Sequence, residues 1–266
     1  MNTEHRQLNL KQIALPPEDV FANVKKIRYV CDQLERFAIK LGHAPRVLDF
    51  GCGNGVDLAR YIISDQIEYV GVDIHQPSLE YAQKHFMTPH SRFVDQVADD
   101  ALFDVIIFSE VLEHLDDPAQ VLKTYAERLA PGGIVIGSVP NGYGLTEIEK
   151  FVDRKLGLYK GLRYLVRHVR KLLGRERPGQ EASVPYNHAS GHVQFFSKGE
   201  LRRVAQAAGL DFVDFSHGSI MGADLSAVTI LRPRILVEWN TRLADHVPSW
   251  AAATWHFVLA RETHNE

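Results

Sequence analysis

The sequence predicts a doubly wound α/β fold, in which helices cover both faces of a mostly parallel sheet. Between residues 46 and 138, short apolar stretches rich in β-branched residues alternate with stretches of helical periodicity. This alternation is typical of buried parallel strands joined by crossover helices. The 266 residues are 45% hydrophobic and 24% charged. The chain can therefore bury a sizeable core, and wholesale disorder is excluded.

Composition also limits the class of protein. No apolar stretch reaches the ~18 residues that a membrane-spanning helix needs, and the N-terminus lacks the apolar region of a signal peptide. Two cysteines, Cys31 and Cys52, are too few for a disulfide scaffold or a thiolate zinc cluster. We therefore expect a cytoplasmic protein.

The first half of the chain divides into an N-terminal helical segment, residues 1–45, and an alternating region, residues 46–141. A helix is predicted over residues 18–41, where apolar residues recur every three or four positions between a Pro-Pro pair and Gly42. Strands are predicted at Val47–Phe50, Tyr69–Val72, Phe93–Val94, Asp104–Phe108 and Ile134–Ser138, and helices from Val56, over Pro77–Phe86 and over Pro118–Leu129.

The second half begins with residues 142–191, which contain no convincing strand and are predicted to form a helical insertion. The αβ alternation resumes in residues 192–266, with a helix over residues 197–208 and strands at Asp211–Phe215 and Trp255–Ala260. We expect the whole chain to form a single domain.

A glycine-rich loop, Gly51-Cys52-Gly53-Asn54-Gly55, follows the first predicted strand and precedes a helix. Alternate glycines let the backbone turn sharply and approach a ligand closely, and the helix presents its first amides to that ligand. Asp73 ends the second strand about 20 residues later, where an acid accepts hydrogen bonds from ribose. A nicotinamide dinucleotide site needs glycine or alanine where this chain has Val56, so such an oxidoreductase is disfavoured.

Four motifs together resemble class I S-adenosylmethionine-dependent methyltransferases. In chain order they are Val47–Gly55, Asp73, Phe103–Ile107 and Leu129–Gly133. The resemblance implies a Rossmann-like, seven-stranded sheet whose last two strands pair antiparallel. Residues 211–217 and 254–261 would supply that pair, and the residues between them would reach over the active site.

The resemblance also implies which residues contact S-adenosylmethionine. The glycine loop would contact the methionine part and Asp73 the ribose, while Asp95 is a candidate for adenine. A solvated turn is an equally good interpretation of Asp95. The full predicted set is Asp49, Gly51, Cys52, Gly53, Asn54, Gly55, Asp73, Ile74, Asp95, Ser109 and Glu110.

A carboxylate–histidine cluster follows the fourth strand. If residues 110–114 form a helical turn, Glu110, Glu113 and His114 lie on one face and suit Mg²⁺, Mn²⁺ or Zn²⁺. This segment resembles the metal-binding segment of ubiquinone-biosynthesis O-methyltransferases and of small-RNA 2′-O-methyltransferases. In those families a further histidine comes from downstream, for which His192 is the first candidate and His188 the second.

Interpretations without a metal remain open for the same cluster. Glu113, His114 and His192 are then the candidate catalytic residues, with either histidine accepting the acceptor's proton. Glu110 would only cap a helix, or the cluster would be structural. Asn141 and Tyr143 are expected to border the acceptor pocket, although Asn141 is equally explained as a turn former.

The expected reaction is O-methylation of a hydroxyl on a small molecule, a quinone precursor or a saccharide. One alternative is methylation of nitrogen or carbon by the same fold. Another is a regulatory subunit that binds the cofactor without turnover. Because one fold hosts many functions, the resemblance does not identify the acceptor.

A basic stretch lies within the insertion. Residues 150–177 contain ten Lys and Arg against Asp153 and Glu176, a net charge of +8. The whole chain carries −3, so the remainder carries −11. Leucine and valine recur from Leu158 to Leu172 at helical spacing, which predicts an amphipathic helix.

Three interpretations of the basic helix compete. It is a lid with solvated charges, a peripheral contact with an anionic membrane, or a site for an anionic acceptor such as a phosphorylated or lipid-linked glycan or RNA. RNA is the least favoured ligand, because the chain shows no aromatic stacking series and no known RNA-binding module.

Overall fold

The computed structural model describes residues 15–172, 184–187, 191–231 and 233–261. The strands are β1 (Arg46–Phe50), β2 (Glu68–Val72), β3 (Ser91–Val94), β4 (Phe103–Ser109), β5 (Leu129–Pro140), β6 (Leu210–His217) and β7 (Thr254–Arg261). The helices are α1 (Asn23–Leu41), α2 (Ala59–Ile62), α3 (Gln76–Phe86), α4 (Pro118–Ala126), α5 (Leu145–Leu156), α6 (Leu158–Leu172), α7 (Lys198–Ala207), α8 (Asp224–Val228) and α9 (Arg234–Leu243).

The described strands form one seven-stranded sheet in the order β3-β2-β1-β4-β5-β7-β6. All neighbours are parallel except β7, which pairs antiparallel with both β5 and β6. This confirms the predicted doubly wound α/β fold with an antiparallel final pair. The strand order reverses at β1, which lies between β2 and β4, and in such sheets ligands bind at the carboxyl ends of the strands beside this reversal.

The sheet is buried on both faces, as a parallel sheet requires. Successive side chains of a strand point to opposite faces, so Val47 and Leu48 belong to two different apolar clusters. The helix α1 contributes Ile27, Val30 and Leu34 to the cluster that contains Val47. The two apolar clusters, one on each face of the sheet, therefore hold the carboxyl ends of β1, β2 and β4 in a fixed arrangement.

Three elements, α1, α2 and β5, begin well away from their predicted first residues. Helix α1 begins at Asn23 because Ala22 has a left-handed φ of 59° and the Asp19 carboxylate accepts the amide of Val24. Helix α2 is only four residues long, since the Asn54 side chain accepts the amide of Val56 and holds a turn there. Strand β5 begins at Leu129, which pairs with Phe103 of β4.

The described part of residues 142–191 contains the two helices α5 and α6, in agreement with the predicted helical insertion, and no strand of the sheet. Gly157, with a φ of 64°, separates α5 from α6, and both helices contact α8. Within the described ranges, no helix combines the length and the apolar character that crossing a bilayer demands.

Candidate active site

A cavity of about 600 Å³ lies at the carboxyl ends of β1, β2 and β4, and we call it the cofactor cavity. Most of the predicted cofactor contacts line it: Asp49, Gly51, Cys52, Gly53, Asn54, Asp73, Ile74, Ser109 and Glu110. Two predicted contacts, Gly55 and Asp95, are absent from the lining. Asp95 is exposed, so the structure gives the predicted adenine contact no support.

The glycine loop is held against the neighbouring strand. The amides of Gly51 and Cys52 both donate to the Val72 carbonyl, at 2.7 and 3.0 Å. Gly51 has a φ of 74°, and a Cβ there would lie 2.6 Å from a Val111 methyl carbon. Gly55 also has a left-handed φ, 77°, but its missing Cβ faces Phe86. The absence of a side chain at Gly51 therefore leaves room for Val111 in the cavity wall. At Gly55 it leaves room for the Phe86 ring, which does not line the cavity.

The two acids of the cavity differ in their surroundings. Asp73 accepts the amide of Gly53 on one carboxylate oxygen and the amide of His75 on the other, both at 2.8 Å. Each oxygen keeps a further lone pair for a ligand hydroxyl. Asp49 is buried and accepts a 2.6 Å hydrogen bond from the Tyr69 hydroxyl. Burial raises the pKa of Asp49 to about 6.

A short segment from the far end of the insertion crosses the cofactor cavity. The Pro185 carbonyl accepts hydrogen bonds from the Asn54 side-chain amide at 2.9 Å and from the Ser78 hydroxyl at 3.3 Å. The next two residues, Tyr186 and Asn187, line the cavity. Thus Asn54 attaches a covering segment to the glycine loop, a role that the sequence did not reveal.

The segment after β4 begins with a residue in an unusual conformation. Glu110 has a φ of 57°, and its amide donates to the carbonyl and hydroxyl oxygens of Ser138 at 3.0 and 3.2 Å. A left-handed residue cannot start the predicted helical turn, so only Leu112–His114 form a 3₁₀ turn. The prediction that Glu110 shares one helix face with Glu113 and His114 is therefore wrong.

Three of the four predicted metal ligands nevertheless come together. One ligand atom each from Glu113, His114 and His192 lie within 4.8 Å of one another, and Glu110 is not part of this group. His114 Nε2 lies 3.9 Å from a Glu113 carboxylate oxygen, and the two imidazole rings are 4.9 Å apart. His188, the second choice, lies outside the described residues.

Backbone contacts explain how His192 reaches the cluster. The amides of Val193 and Gln194 both donate to the Glu113 carbonyl at 2.9 Å. The Gly191 carbonyl lies 3.0 Å from His114 Nδ1, so this nitrogen carries the proton and Nε2 is left free to accept. A partner of this kind fixes the tautomer of metal-ligating histidines.

The electrostatics of the cluster call for a positive charge. The Glu113 side chain is fully buried, and both its oxygens lack a hydrogen-bond partner among the described residues. Burial and then the neighbouring Glu110 carboxylate raise the pKa of Glu113 well above its usual value. Burial, with His114 and Lys150 nearby, lowers the pKa of His192. One carboxylate and two imidazoles fit Zn²⁺ or Mn²⁺ better than they fit Mg²⁺, which prefers oxygen ligands alone.

A second cavity of about 580 Å³ adjoins the first, and we call it the acceptor cavity. Helix α5 forms one wall through Thr146, Glu147 and Lys150, and residues 219–225 form another. The segment between β6 and β7 therefore reaches over the site, as the resemblance implied. Helix α5 therefore lies beside the acceptor cavity, and the three interpretations of the basic helix stay predictions.

Asn23, Lys26 and Glu110 line both cavities. His114 faces the cofactor cavity and His192 the acceptor cavity. The carboxylate–histidine cluster therefore lies where the two cavities join. A group transferred from one cavity to the other would pass beside these residues.

Lys26 is a site residue that the sequence analysis missed. Its side chain is 8% exposed and makes none of the ion pairs or hydrogen bonds found among the described residues. Its positive charge opposes the effect of burial on Asp49 and Glu113, although the pKa of each carboxyl stays above its usual value. The sequence did contain a signal for this residue, because Lys26 lies on the apolar face of α1 with Val24 and Ile27.

Asn141 and Tyr143 do not line the acceptor cavity, contrary to the prediction. The buried Asn141 amide donates to the carbonyls of Trp250 and Ala252, at 3.0 and 2.8 Å, and its oxygen accepts the amide of Tyr143. Tyr143 itself is exposed. Asn141 is thus a turn former and a structural link between β5 and the segment before β7.

The chain is similar in sequence to known proteins. A family model described as a methyltransferase domain matches residues 22–214. The ubiquinone biosynthesis O-methyltransferase of Paracidovorax citrulli is 37% identical over 105 residues, 36% of this chain and 44% of that protein. Its namesake from Albidiferax ferrireducens is 32% identical over 148 residues, 52% and 56% of the two chains. The chain thus spans about half the length of these curated relatives.

Solved structures show the same fold at low identity. An S-adenosylmethionine-dependent methyltransferase from Mesorhizobium loti matches with a TM-score of 0.53 and 16% identity, over 90% of this chain and 98% of that one. The 1,6-didemethyltoxoflavin-N1-methyltransferase of Burkholderia thailandensis, with bound S-adenosylhomocysteine, matches with a TM-score of 0.50 and 19% identity, over 89% and 78%.

Proposed function

Since this chain belongs to the methyltransferase-domain family, as its motifs predicted, we propose that it transfers the methyl group of S-adenosylmethionine to a hydroxyl oxygen of its acceptor. One observation carries the proposal. The glycine-loop cavity adjoins a second cavity at Glu110, with His114 in the wall of the first and His192 in the wall of the second, and both imidazoles lie close to the buried Glu113 carboxylate. Oxygen is a weak nucleophile until it loses its proton, so groups that accept a proton at this junction suit O-methylation.

Four residues would bind the cofactor through complementary chemistry. Gly51 and Gly53 let the loop backbone approach the methionine part, and Asp73 offers its remaining lone pairs to the ribose hydroxyls. The buried ammonium of Lys26 faces the cofactor cavity and would pair with the carboxylate of the cofactor. A buried lysine needs such a partner.

The reaction is an in-line displacement. The acceptor oxygen attacks the methyl carbon, a carbon–oxygen bond forms, and the carbon–sulfur bond breaks with its electron pair retained on sulfur. Where no cation is bound, His192 would take the hydroxyl proton, because burial lowers the pKa of its imidazole and keeps it neutral and able to accept. The two cavities would align oxygen, carbon and sulfur, which supplies much of the rate in such transfers.

Glu113, His114 and His192 would hold a divalent cation, of which Mn²⁺ and Zn²⁺ fit best. When bound, such a cation lowers the pKa of a coordinated hydroxyl. The unpartnered oxygens of Glu113 support this assignment. Since a carboxylate buried alone is costly, Glu113 must otherwise take up a proton.

Calorimetric titration tests both parts of the proposal. S-adenosylhomocysteine is titrated into the protein in EDTA, and Mn²⁺, Zn²⁺ or Mg²⁺ follows after the EDTA is removed. We expect cofactor binding in every case, and a metal heat that is lost in Glu113→Gln and His192→Ala. The exposed His43→Ala is the control and should keep that heat. Absence of cofactor binding contradicts the enzymatic proposal, whereas absence of a metal heat removes only the metal.

We also propose that α5 and α6 contact an anionic membrane. Eight of their large apolar side chains are exposed: Leu145, Ile148, Phe151, Val152, Leu156, Leu158, Tyr164 and Leu165. They accompany the +8 charge of residues 150–177, of which 173–177 lie outside the described residues. Exposed apolar side chains beside clustered cations are typical of helices that lie on anionic lipid.

Vesicle flotation tests this contact. The chain should float with phosphatidylglycerol vesicles and remain unbound with phosphatidylcholine. Phe151→Ser should weaken flotation several-fold, because it removes an exposed apolar contact. Ile39→Ser, at a comparably exposed position of α1, should not. Equal binding to both lipids, or to neither, contradicts this contact.

A further inference from the structure

One polar face of α5 forms part of the wall of the acceptor cavity. Glu147, Lys150, Asp153 and Arg154 follow one another at helical spacing, so they share this face, and all four line the cavity. Lys160, in the first turn of α6, lines it as well. The corner between α5 and α6 therefore brings charged side chains from two helices to one wall.

The two acids on this face of α5 already have partners. Glu147 pairs with Lys150 at 2.5 Å. The Asp153 carboxylate accepts the Tyr159 amide at 2.6 Å, so it is held at the N-terminus of α6, where negative charge is favourable. Among the described residues, Lys150 is thus the one cation of this wall that an acid neutralises.

Two other cations of the wall have no partner. Arg154 and Lys160 are exposed, and neither makes an ion pair or a hydrogen bond within the described part of the chain. Gly157 lies between them in the sequence and also lines the cavity, and a Cβ there would meet no atom within 4 Å. The corner that carries the two cations therefore leaves room for a ligand.

The corner lies farther along α5 than the part of the helix that is close to His192. Glu147 and Lys150 are near enough to the His192 imidazole to affect its pKa. Arg154 follows Lys150 by four residues on the same face, which places it one turn, about 5–6 Å, farther along the helix. An anionic group at Arg154 would therefore be several bonds away from a hydroxyl at His192.

Much of the remaining wall is apolar and suits the uncharged body of a small molecule. Its apolar residues are Phe21, Ala22, Pro140, Ala223, Leu225 and Ala253. The cavity volume of about 580 Å³ is typical of small-molecule sites, which combine an apolar lining with a few placed polar groups. A ligand that fills this cavity can thus reach both the α5–α6 corner and His192.

We infer that the acceptor is a phosphate monoester, whose phosphate is held by Arg154 and Lys160 while its hydroxyl lies beside His192. This inference rests on the proposed methyl transfer and names its substrate class. Two unpaired cations balance the charge of about −2 that a phosphate monoester carries near neutral pH, whereas a carboxylate balances only one. The planar guanidinium of arginine also forms two parallel hydrogen bonds with phosphate oxygens.

Calorimetry on the protein saturated with S-adenosylhomocysteine tests the site with phenyl phosphate, benzoate and phenol at pH 7.5. These probes share a ring and differ in charge. We expect phenyl phosphate to bind at least tenfold more tightly than phenol, with benzoate between them. Arg154→Gln and Lys160→Gln should each weaken phenyl phosphate binding at least fivefold and phenol binding less than twofold, with the Kd for S-adenosylhomocysteine unchanged.

Two matched variants serve as controls. Arg36→Gln on α1 and Lys123→Gln on α4 remove exposed cations that line neither cavity. Both should leave the affinity for all three probes unchanged. A loss of phenyl phosphate affinity in the controls would show that the total charge of the protein, and not the α5–α6 corner, attracts the probe.

Turnover gives a second readout, measured as S-adenosylhomocysteine formation with and without Mn²⁺. 4-Hydroxyphenyl phosphate is compared with hydroquinone, and glycerol 3-phosphate with glycerol, so each pair differs only in the phosphate. We expect turnover of a phosphate monoester with a KM at least tenfold below that of its partner. Arg154→Gln should raise this KM while kcat stays within threefold.

A lipid headgroup offers the same phosphate chemistry, and vesicle flotation distinguishes it from an acceptor. If both variants weaken flotation with phosphatidylglycerol but leave phenyl phosphate binding unchanged, the cations contact lipid and the inference is overturned. Benzoate or phenol binding as tightly as phenyl phosphate overturns it too, as does no turnover of either phosphate monoester while S-adenosylhomocysteine binds normally. Failure to bind S-adenosylhomocysteine contradicts the proposed methyl transfer itself, so the two failures are distinguishable.

Discussion

The cofactor cavity and the acceptor cavity are of similar size but differ in how their polar groups are satisfied. In the cofactor cavity, both oxygens of Asp73 accept backbone amides, and Asn54 is bonded at both ends of its side chain. In the acceptor cavity, three hydroxyls and an imidazole lack partners among the described residues. The polar groups of one cavity are thus fixed by its own loop, whereas several residues in the wall of the other hold a buried polar atom without a partner in the described part of the chain.

The difference follows from how each cavity is built. The cofactor cavity is formed mainly by loops that leave adjacent strands, so neighbouring backbone amides are available to its side chains. The acceptor cavity is assembled from α1, α5, the segment after β6, and β7. Its side chains meet only in the folded protein, and the backbone of each element is already paired. Variants of the two cavities should therefore behave differently.

Gly51→Ala should have the largest effect and should act on the cofactor cavity. A side chain at φ 74° is strained, and the new Cβ would lie 2.6 Å from Val111. Together these should weaken S-adenosylhomocysteine binding about 100-fold, equivalent to roughly 2.7 kcal/mol. Calorimetry measures the change. An unchanged Kd would contradict the conclusion that the left-handed Gly51 shapes the cofactor cavity.

His256→Gln, a change in the wall of the acceptor cavity, should alter the pH dependence of the free energy of unfolding, and only in acid. In the unfolded chain the pKa of histidine is near 6.5, whereas burial lowers it to about 3 in the folded protein. Below pH 6.5 the unfolded state takes up a proton that the folded state excludes, so His256 makes stability fall as pH falls. In the variant, the free energy of unfolding should fall less steeply with decreasing pH, by about 1.4 kcal/mol per pH unit.

Urea denaturation at pH 7.0, 6.0, 5.0 and 4.5 measures this difference between the two proteins. The free energy of unfolding of the variant minus that of the unchanged protein should increase as the pH decreases toward 4.5. A difference that is constant across these pH values would show that His256 is protonated in the folded state.

Asp73→Asn should weaken S-adenosylhomocysteine binding about tenfold, because it removes a charged acceptor of ribose hydroxyls. The matched variant is Asp95→Asn, at the exposed acid that does not line the cavity. It should leave the Kd within a factor of two. If both variants weaken binding equally, the boundary of the cofactor cavity is wrong.

Gly161→Ala should have the smallest effect and serves as the control for Gly51→Ala. Gly161 lies in α6, and a Cβ there meets no atom within 4 Å. Alanine should stabilise that helix by roughly 0.5–1 kcal/mol and leave cofactor binding unchanged. Chemical denaturation and calorimetry on the same samples check both expectations.

Much of the cofactor cavity could be predicted because its residues follow one another along the chain. The glycine loop, Asp73 and the residues after β4 each end a strand, and parallel strands bring their ends to one edge. The prediction failed where backbone conformation decided. Glu110 is left-handed, which removes it from the histidine cluster, and Asn54 bonds to a segment 131 residues away.

By itself, the sequence determined the fold class and the cofactor loop, because these follow from local periodicity and turn chemistry. The antiparallel final pair was implied only by the resemblance of its motifs to class I methyltransferases. The sequence also placed Glu113, His114 and His192 in one candidate set. Only the tertiary structure decided that Lys26 lies between the two cavities and that Asn141 is a structural link. It alone brought α1, α5, β7 and the segment after β6 together around the acceptor cavity, because contacts among distant elements depend on packing, for which no local pattern exists.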